Sequence, residues 1–169
     1  GVAITHASAA LLVTWAWQNY TAEEVRGVLA STSICFDLSL FELFVPLSRG
    51  GTCLLVENAL QLATLAPAQD VTLLNTVPSA ARELLRLGAL PPTVRTINLA
   101  GEALPLKLVQ ELYVRTRVER VYNLYGPSEE TTYSTGELVP AGSTLAPAIG
   151  RPLDRTRALL LDQAGQLVP

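Results

Sequence analysis

Apolar positions along the chain fall into short continuous runs that alternate with stretches of helical spacing. "GTCLLVE" (51–57), "VTLLNTV" (71–77), "VRTINLAG" (94–101) and "VERVYNLYG" (118–126) predict buried strands. Between and before them the period changes. In "HASAALLVTWAWQNY", Ser8 stands where an N-cap would, and Leu11, Leu12, Trp15 and Ala16 share one helical face. "TAEEVRGVL" repeats the signal, with Thr21 three residues ahead of Glu24 in a capping-box pattern. "PSAARELLRLG" predicts a helix with Pro78 at its start and Gly88 past its end, and "LPLKLVQELYVRT" predicts another. "RALLLDQAGQLV" reads as a hairpin around Ala164 and Gly165.

Strands alternating with helices imply βαβ units, hence an α/β fold with a mostly parallel sheet covered by helices on both faces. The expected organisation is one subdomain over 1–169: an α/β layer over 1–139, then an exit loop and hairpin over 140–169. The Pro- and Gly-rich stretch "VPAGSTLAPAIGRPLDR" marks the way out. There is no internal repeat and no low-complexity segment.

Composition narrows the function classes. The chain has 169 residues, 49% hydrophobic and 16% charged, enough for one domain with a real core and far from a disordered composition. A net charge of -3 without a basic stripe excludes nucleic acid as a partner. Every apolar run stops short of the ~18 residues of a membrane span, and no basic-then-apolar start marks a signal peptide. Cys35 and Cys53 sit in apolar contexts and read as reduced core residues of a cytoplasmic protein. One histidine and two cysteines do not make a zinc site. The chain has no Met, and it stops at "GQLVP" in mid-pattern. It reads as a piece of a longer protein.

In open parallel sheets, ligands bind beyond the carboxyl ends of the strands. Those ends carry Asn75, then Asn98, Ala100, Gly101 and Glu102, then Asn123, Tyr125, Gly126, Ser128 and Glu129. Asn123 has a donor and an acceptor, as a base edge requires. Tyr125 offers a flat face, Gly126 lets a ligand approach the backbone, and Ser128 can donate to a phosphate oxygen. Glu129 could hold Mg²⁺, which favours one or two carboxylates plus phosphates. The same residues also fit a polar turn, with Ser128 capping and Glu129 solvated. In "CFDLSLFELFVPL", Asp37 and Phe41 share a helical face with Leu38 beside them. Asp37 fits either a helix cap or an anionic anchor for a ligand ammonium. No G-x-G-x-x-G follows a strand, and no P-loop or G-x-S-x-G elbow is present. His6, beside a helix start, has no nucleophile partner and reads as structural.

Four stretches in order, "FDLSLFELFVPLSRGG", "LNTVPSA", "NLAGEAL" and "YNLYGPSEETTYST", resemble the adenylation domains of nonribosomal peptide synthetases. The opening "GVAITHAS" resembles the segment just after that family's phosphate loop, and "IGRPLDRTRALLLDQAGQLVP" resembles a later segment of the same family. The resemblance covers nearly the whole chain and implies a flavodoxin-like subdomain of the family's large lobe. It implies condensation of an amino acid with ATP to aminoacyl-AMP, then transfer to the phosphopantetheine thiol of a peptidyl carrier protein.

By motif, Asp37 would hold the substrate ammonium. The side-chain pocket would fall on Asp37, Leu38, Phe41, Asn75, Asn98, Ala100, Leu124, Thr132 and Tyr133, a lining that implies a small uncharged side chain, alanine first. Gly101, Glu102, Asn123 and Tyr125 would meet the adenine end, Ala103 and Gly126 would join them in binding the nucleotide, Ser128 would meet a phosphate, and Glu129 Mg²⁺. Two positions depart from the usual pattern: Ser128 and Glu130 each stand where Thr is more common. The family's catalytic lysine has no counterpart here, because the one lysine, Lys107, lies in the helix before the fourth predicted strand. The isolated chain is expected to be inactive. Rival readings are a ligase for acids that lack an amine, and a non-catalytic α/β binding domain.

Overall fold

The computed structural model describes residues 1–65 and 70–168. Its centre is a seven-stranded sheet in the order β2-β1-β3-β4-β5-β6-β7. The strands are β1 (Gly27–Ala30), β2 (Thr52–Leu55), β3 (Leu73–Thr76), β4 (Thr96–Leu99), β5 (Arg120–Tyr125), β6 (Thr135–Val139) and β7 (Arg151–Pro152). The first five run parallel, and β6 and β7 add antiparallel at one end. The 2-1-3-4-5 order of the parallel part is the flavodoxin-like arrangement, with its switch point between β1 and β3.

The helices are α1 (His6–Asn19), α2 (Leu38–Leu47), α3 (Pro78–Leu87) and α4 (Leu106–Arg115). Period-2 alternation along the strands sorts side chains to two faces. Val28, Leu73, Tyr122 and Leu124 pack under α1 and α2 against Leu12, Trp15, Tyr20, Phe41 and Val45. Leu29, Leu74, Ile97, Leu99 and Val121 pack under α3 and α4 against Ala81, Leu84, Leu108 and Leu112. Gly88 ends α3 in the left-handed conformation at φ 63°, as its position predicts. Among the described residues, no helix is long and apolar enough to cross a membrane.

Several local expectations are corrected. The N-cap of α1 is Thr5, whose hydroxyl accepts from Ser8 N at 3.1 Å; His6 is the first helical residue and exposed. Leu11 lies towards solvent beside the buried Leu12, Trp15 and Ala16. The Thr21–Glu24 capping box closes, with Thr21 N donating to Glu24 at 2.9 Å and Glu24 N to Thr21 Oγ1 at 3.2 Å. No helix follows it, because the chain enters β1 at Gly27. A Cβ there would stand 1.8 Å from Asp70 O, so only glycine fits. β2 is an edge strand rather than a buried one, and its Leu55 is 76% exposed. Cys35 is exposed and only Cys53 is partly covered; both are free thiols. Strands β6 and β7 carry no apolar run that predicts them. Asp162 N donates to Gln166 O and Val168 N to Leu160 O, which forms the hairpin at Gly165.

Two carboxylates tie the sheet at opposite edges. At the amino ends of the strands, Glu24 accepts from Thr21, from Thr96 Oγ1 at 2.9 Å and from Arg120 Nη1 at 2.8 and 2.9 Å. Burial pushes its pKa up, but the bonds from Thr21, Thr96 and Arg120 outweigh burial and hold it below the ordinary value. At the carboxyl end of β1, Glu42 of α2 is fully buried. It accepts from Ser31 N at 3.1 Å, Thr32 N at 2.9 Å and Thr32 Oγ1 at 3.0 Å. Here burial wins over these bonds, and the carboxyl is pushed up to about 7.

Glu24→Ala removes the carboxylate that Thr96 and Arg120 donate to and should destabilise the protein by roughly 1–3 kcal/mol, read from urea unfolding at pH 7. Because the native pKa of Glu24 is depressed, its contribution is present above the ordinary value of 4.5 and fades as pH falls through the lower native value. Glu42 has the opposite sign. Between pH 4.5 and about 7 the native chain keeps a proton that the unfolded chain has released, so stability falls as pH rises through that window. Glu42→Gln should flatten that part of a melting-temperature profile, and an unchanged slope would remove Glu42 as its source.

Candidate functional site

The loop leaving β1 and the end of β3 flank the switch point, where the crossover connections part to opposite faces of the sheet. Asp37 lies in the β1–α2 connection, at the N-cap of α2. Its backbone is already helical (φ -60°, ψ -28°), and its side chain makes no capping bond. Among the described residues, no hydrogen bond or ion pair engages its carboxylate. Leu38 is half-buried beside it, and Phe41, one turn on, is fully buried. The ring of Phe41 meets Tyr20 edge-on at 5.5 Å and Tyr133 at 6.1 Å.

Asn75 and Asn98 are register partners on β3 and β4, both fully buried. They share the face covered by α1 and α2. Tyr133 Oη donates to Asn75 Oδ1 at 2.8 Å, and Tyr20 Oη donates to Asn98 Oδ1 at 2.9 Å. Burial raises both phenols well above their ordinary range, so each keeps the proton it donates. Leu124 is buried on this face, with Ala100 half-buried at the end of β4. The pocket set from Asp37 to Tyr133 is thus brought to one side of the sheet at its carboxyl edge.

The stretch after β5 closes that edge. Ser128–Glu130 form one 3₁₀ turn, followed by Thr131 and Thr132, both with positive φ (65° and 75°). Left-handed backbone at two β-branched residues costs on the order of 1–3 kcal/mol each and persists where neighbours fix it. Here Thr131 N donates to Ser128 O at 3.1 Å, and Thr132 Oγ1 donates to Asp37 O at 2.9 Å. Gly126 is required by close approach, because a Cβ would stand 2.6 Å from Ser134 N. Tyr125 is half-exposed at the rim, and Ser128, Glu129 and Glu130 follow it outwards. Among the described residues, no hydrogen bond engages the carboxylate of Glu129. Together with Ser8, Trp15, Thr131 and Asp154 it lines a cleft of about 270 Å³. A free carboxylate on such a cleft fits a divalent cation that keeps most of its water.

Other expected nucleotide contacts already have structural partners. Glu102 accepts from Ser79 N at 3.0 Å and Ser79 Oγ at 2.7 Å, and so caps the start of α3. Gly101 (φ 81°) and Ala103 flank it in the exposed turn after β4. Asn123 faces away from the Asn75 and Asn98 side, with its Nδ2 donating to Ala148 O at 2.6 Å. One of its two amide hydrogens is engaged, which leaves the other and the carbonyl oxygen without a side-chain bond among the described residues. Sequence reasoning missed Tyr20. Its signal was present: Tyr20 follows Trp15 and Ala16 by five and four positions, so it lies on their face.

Comparison with known proteins extends this geometry. A profile of AMP-binding enzymes matches residues 1–169. A linear gramicidin synthase of Brevibacillus parabrevis is 57% identical over 169 residues, which is 100% of this chain and 3% of that protein. AMB antimetabolite synthetase AmbB of Pseudomonas aeruginosa is 52% identical over 164 residues, 96% of this chain and 13% of that protein. The chain therefore spans a small part of the relatives it matches. Among solved structures, the Vibrio cholerae adenylation domain AlmE, in complex with glycyl-adenosine-5'-phosphate, superposes with a TM-score of 0.85 at 25% identity. That match covers 98% of this chain and 33% of that one. The four-domain nonribosomal peptide synthetase holo-AB3403, bound to AMP and glycine, gives 0.81 at 30% identity over 100% of this chain and 13% of that one. The chain belongs to the AMP-binding enzyme family, as part of an adenylation domain of the nonribosomal peptide synthetase type.

Proposed function

We propose that this chain is the amino-acid-selecting subdomain of an enzyme that activates a small amino acid with ATP and loads it onto a peptidyl carrier protein in the cytoplasm. In that reaction the substrate carboxylate attacks the α-phosphorus, an O–P bond forms, and pyrophosphate leaves with the electrons of the broken bond. The carrier's phosphopantetheine thiol then gives up its proton to solvent and attacks the aminoacyl carbonyl carbon; a C–S bond forms, and AMP leaves with the electrons of the broken C–O bond. Mg²⁺ would neutralise phosphate charge as pyrophosphate departs.

The observation that carries this reading is the Asp37 carboxylate. Half-buried, it meets no cation among the described residues, and none of the other proposed pocket residues is charged, the arrangement an α-ammonium needs. A ligase for acids without an amine would leave that carboxylate unpaired, and so fits less well. Phe41, Leu124 and Tyr133 fill the space under α2 and support a small side chain, with alanine ahead of glycine, serine and cysteine. In this proposal Leu38, Asn75, Asn98, Ala100 and Thr132 complete the pocket. Gly101, Glu102, Asn123 and Tyr125 serve the adenine end, Ala103 and Gly126 join them in binding the nucleotide, Ser128 serves a phosphate and Glu129 the cation. A chain without the family's catalytic lysine would show no exchange alone.

Asp37→Ala in the complete domain should abolish amino-acid-dependent ATP–pyrophosphate exchange, and retained exchange would remove Asp37 from the role. For Glu129→Gln, the Mg²⁺ concentration giving half-maximal exchange should rise by roughly tenfold or more. A Mg²⁺ titration that overlays the parent enzyme's would assign the cation elsewhere.

A further inference from the structure

The two buried asparagines leave a pattern that the pocket assignment does not explain. Each amide carbonyl takes a phenol hydroxyl from a different element: Asn75 from Tyr133, and Asn98 from Tyr20 at the end of α1. A hydroxyl donating to Oδ1 selects one of the two flipped orientations of the amide, and so turns its NH₂ away from the phenol. Both NH₂ groups, on neighbouring strands and in register, are fully buried and find no acceptor among the described residues. A buried donor without a partner costs on the order of 1–3 kcal/mol, so two side by side at a ligand edge mark a place for an acceptor oxygen.

We propose that Asn75 and Asn98 form a paired-donor floor that holds one acceptor oxygen beneath the substrate side chain, and that Tyr20 is the positioning residue that fixes its Asn98 half. The inference rests on the amino-acid-activating reading and adds to it a residue outside the motif-assigned pocket. The oxygen has two sources: a buried water under an alanine methyl, or the hydroxyl of a serine side chain. Tyr20 acts through Asn98, because its hydroxyl is engaged by Oδ1 and its ring is locked edge-on against Trp15 at 5.8 Å and Phe41 at 5.5 Å. Removing only that hydroxyl leaves the packing in place and frees the Asn98 amide to turn its carbonyl into the pocket. A site offering two fixed donors then becomes one that also accepts, and discrimination by a single hydroxyl weakens.

The test compares kcat/KM for alanine and serine in exchange assays on the complete domain. In the parent enzyme, a preference for alanine identifies the water and a preference for serine identifies the side-chain oxygen. In either case Tyr20→Phe should cut that preference about tenfold while KM for ATP stays within about twofold. Tyr113→Phe is the control. Its hydroxyl donates to Val139 O at 2.7 Å and accepts from Val121 N at 3.0 Å, on the other side of the sheet. It should lower the melting temperature without moving the preference. If Tyr20→Phe does not fold, Tyr133→Phe asks the same question of Asn75. An unmoved preference in Tyr20→Phe, or an equal shift in Tyr113→Phe, overturns the inference while the activity stands. A parent domain without amino-acid-dependent exchange overturns the activity, and the inference with it.

Discussion

Strands that all run the same way must all end at the same edge. This constraint organises the molecule. Parallel neighbours cannot be joined by a tight turn, so each connection crosses a face of the sheet and helices cover both sides. The backbone groups of β1, β3 and β4 are then paired within the sheet. Asn75 and Asn98 lie in the carboxyl half of their strands, after Leu73-Leu74 and Thr96-Ile97, one residue short of the edge. Direction of pairing, more than any single residue, decides that the chemistry gathers at one rim.

The rim needs something to hold its loops against the sheet, and the structure uses two kinds of anchor. One is a carboxyl group in low dielectric. Glu42 clamps the backbone after β1, while at the far edge Glu24 clips the starts of β4 and β5 through Thr96 and Arg120. The other is strain held by neighbours. Thr131 and Thr132 keep left-handed backbone because the Asp37 carbonyl, the Asn75 amide and the close pass over Gly126 leave the turn no relaxed alternative.

What could be read from the sequence depends on how local each signal is. The strands at β3, β4 and β5 are short apolar runs, and α3 carries Pro78 and Gly88 as its own punctuation. Those signals are complete within a few residues. The errors lie where a local signal was true but its consequence was set from a distance. The Thr21–Glu24 box closes as its spacing predicts, yet the room left by Asp70 admits only Gly27 in extended backbone and makes β1 of the rest. β6 has no apolar alternation of its own; it is a strand because β5 offers an edge. At the site, the strand-end reading picked out Asn75 and Asn98, which the structure sets side by side in register, while Asp37 entered by its own stretch and lies at the start of α2. Residue types could not show that Glu102 is spent on Ser79, that Asn123 turns to the other face, or that Tyr20 reaches Asn98, since those facts depend on side-chain direction across 23, 25 and 78 residues.

The bond from Thr132 to residue 37 ends on a main-chain carbonyl. Every amino acid supplies that atom, so the mooring of the strained turn is indifferent to what side chain residue 37 bears. Charge and scaffold are therefore separable at this position: a substitution that removes the carboxylate keeps the carbonyl that Thr132 meets, so the turn and the tyrosine behind it do not depend on the anion.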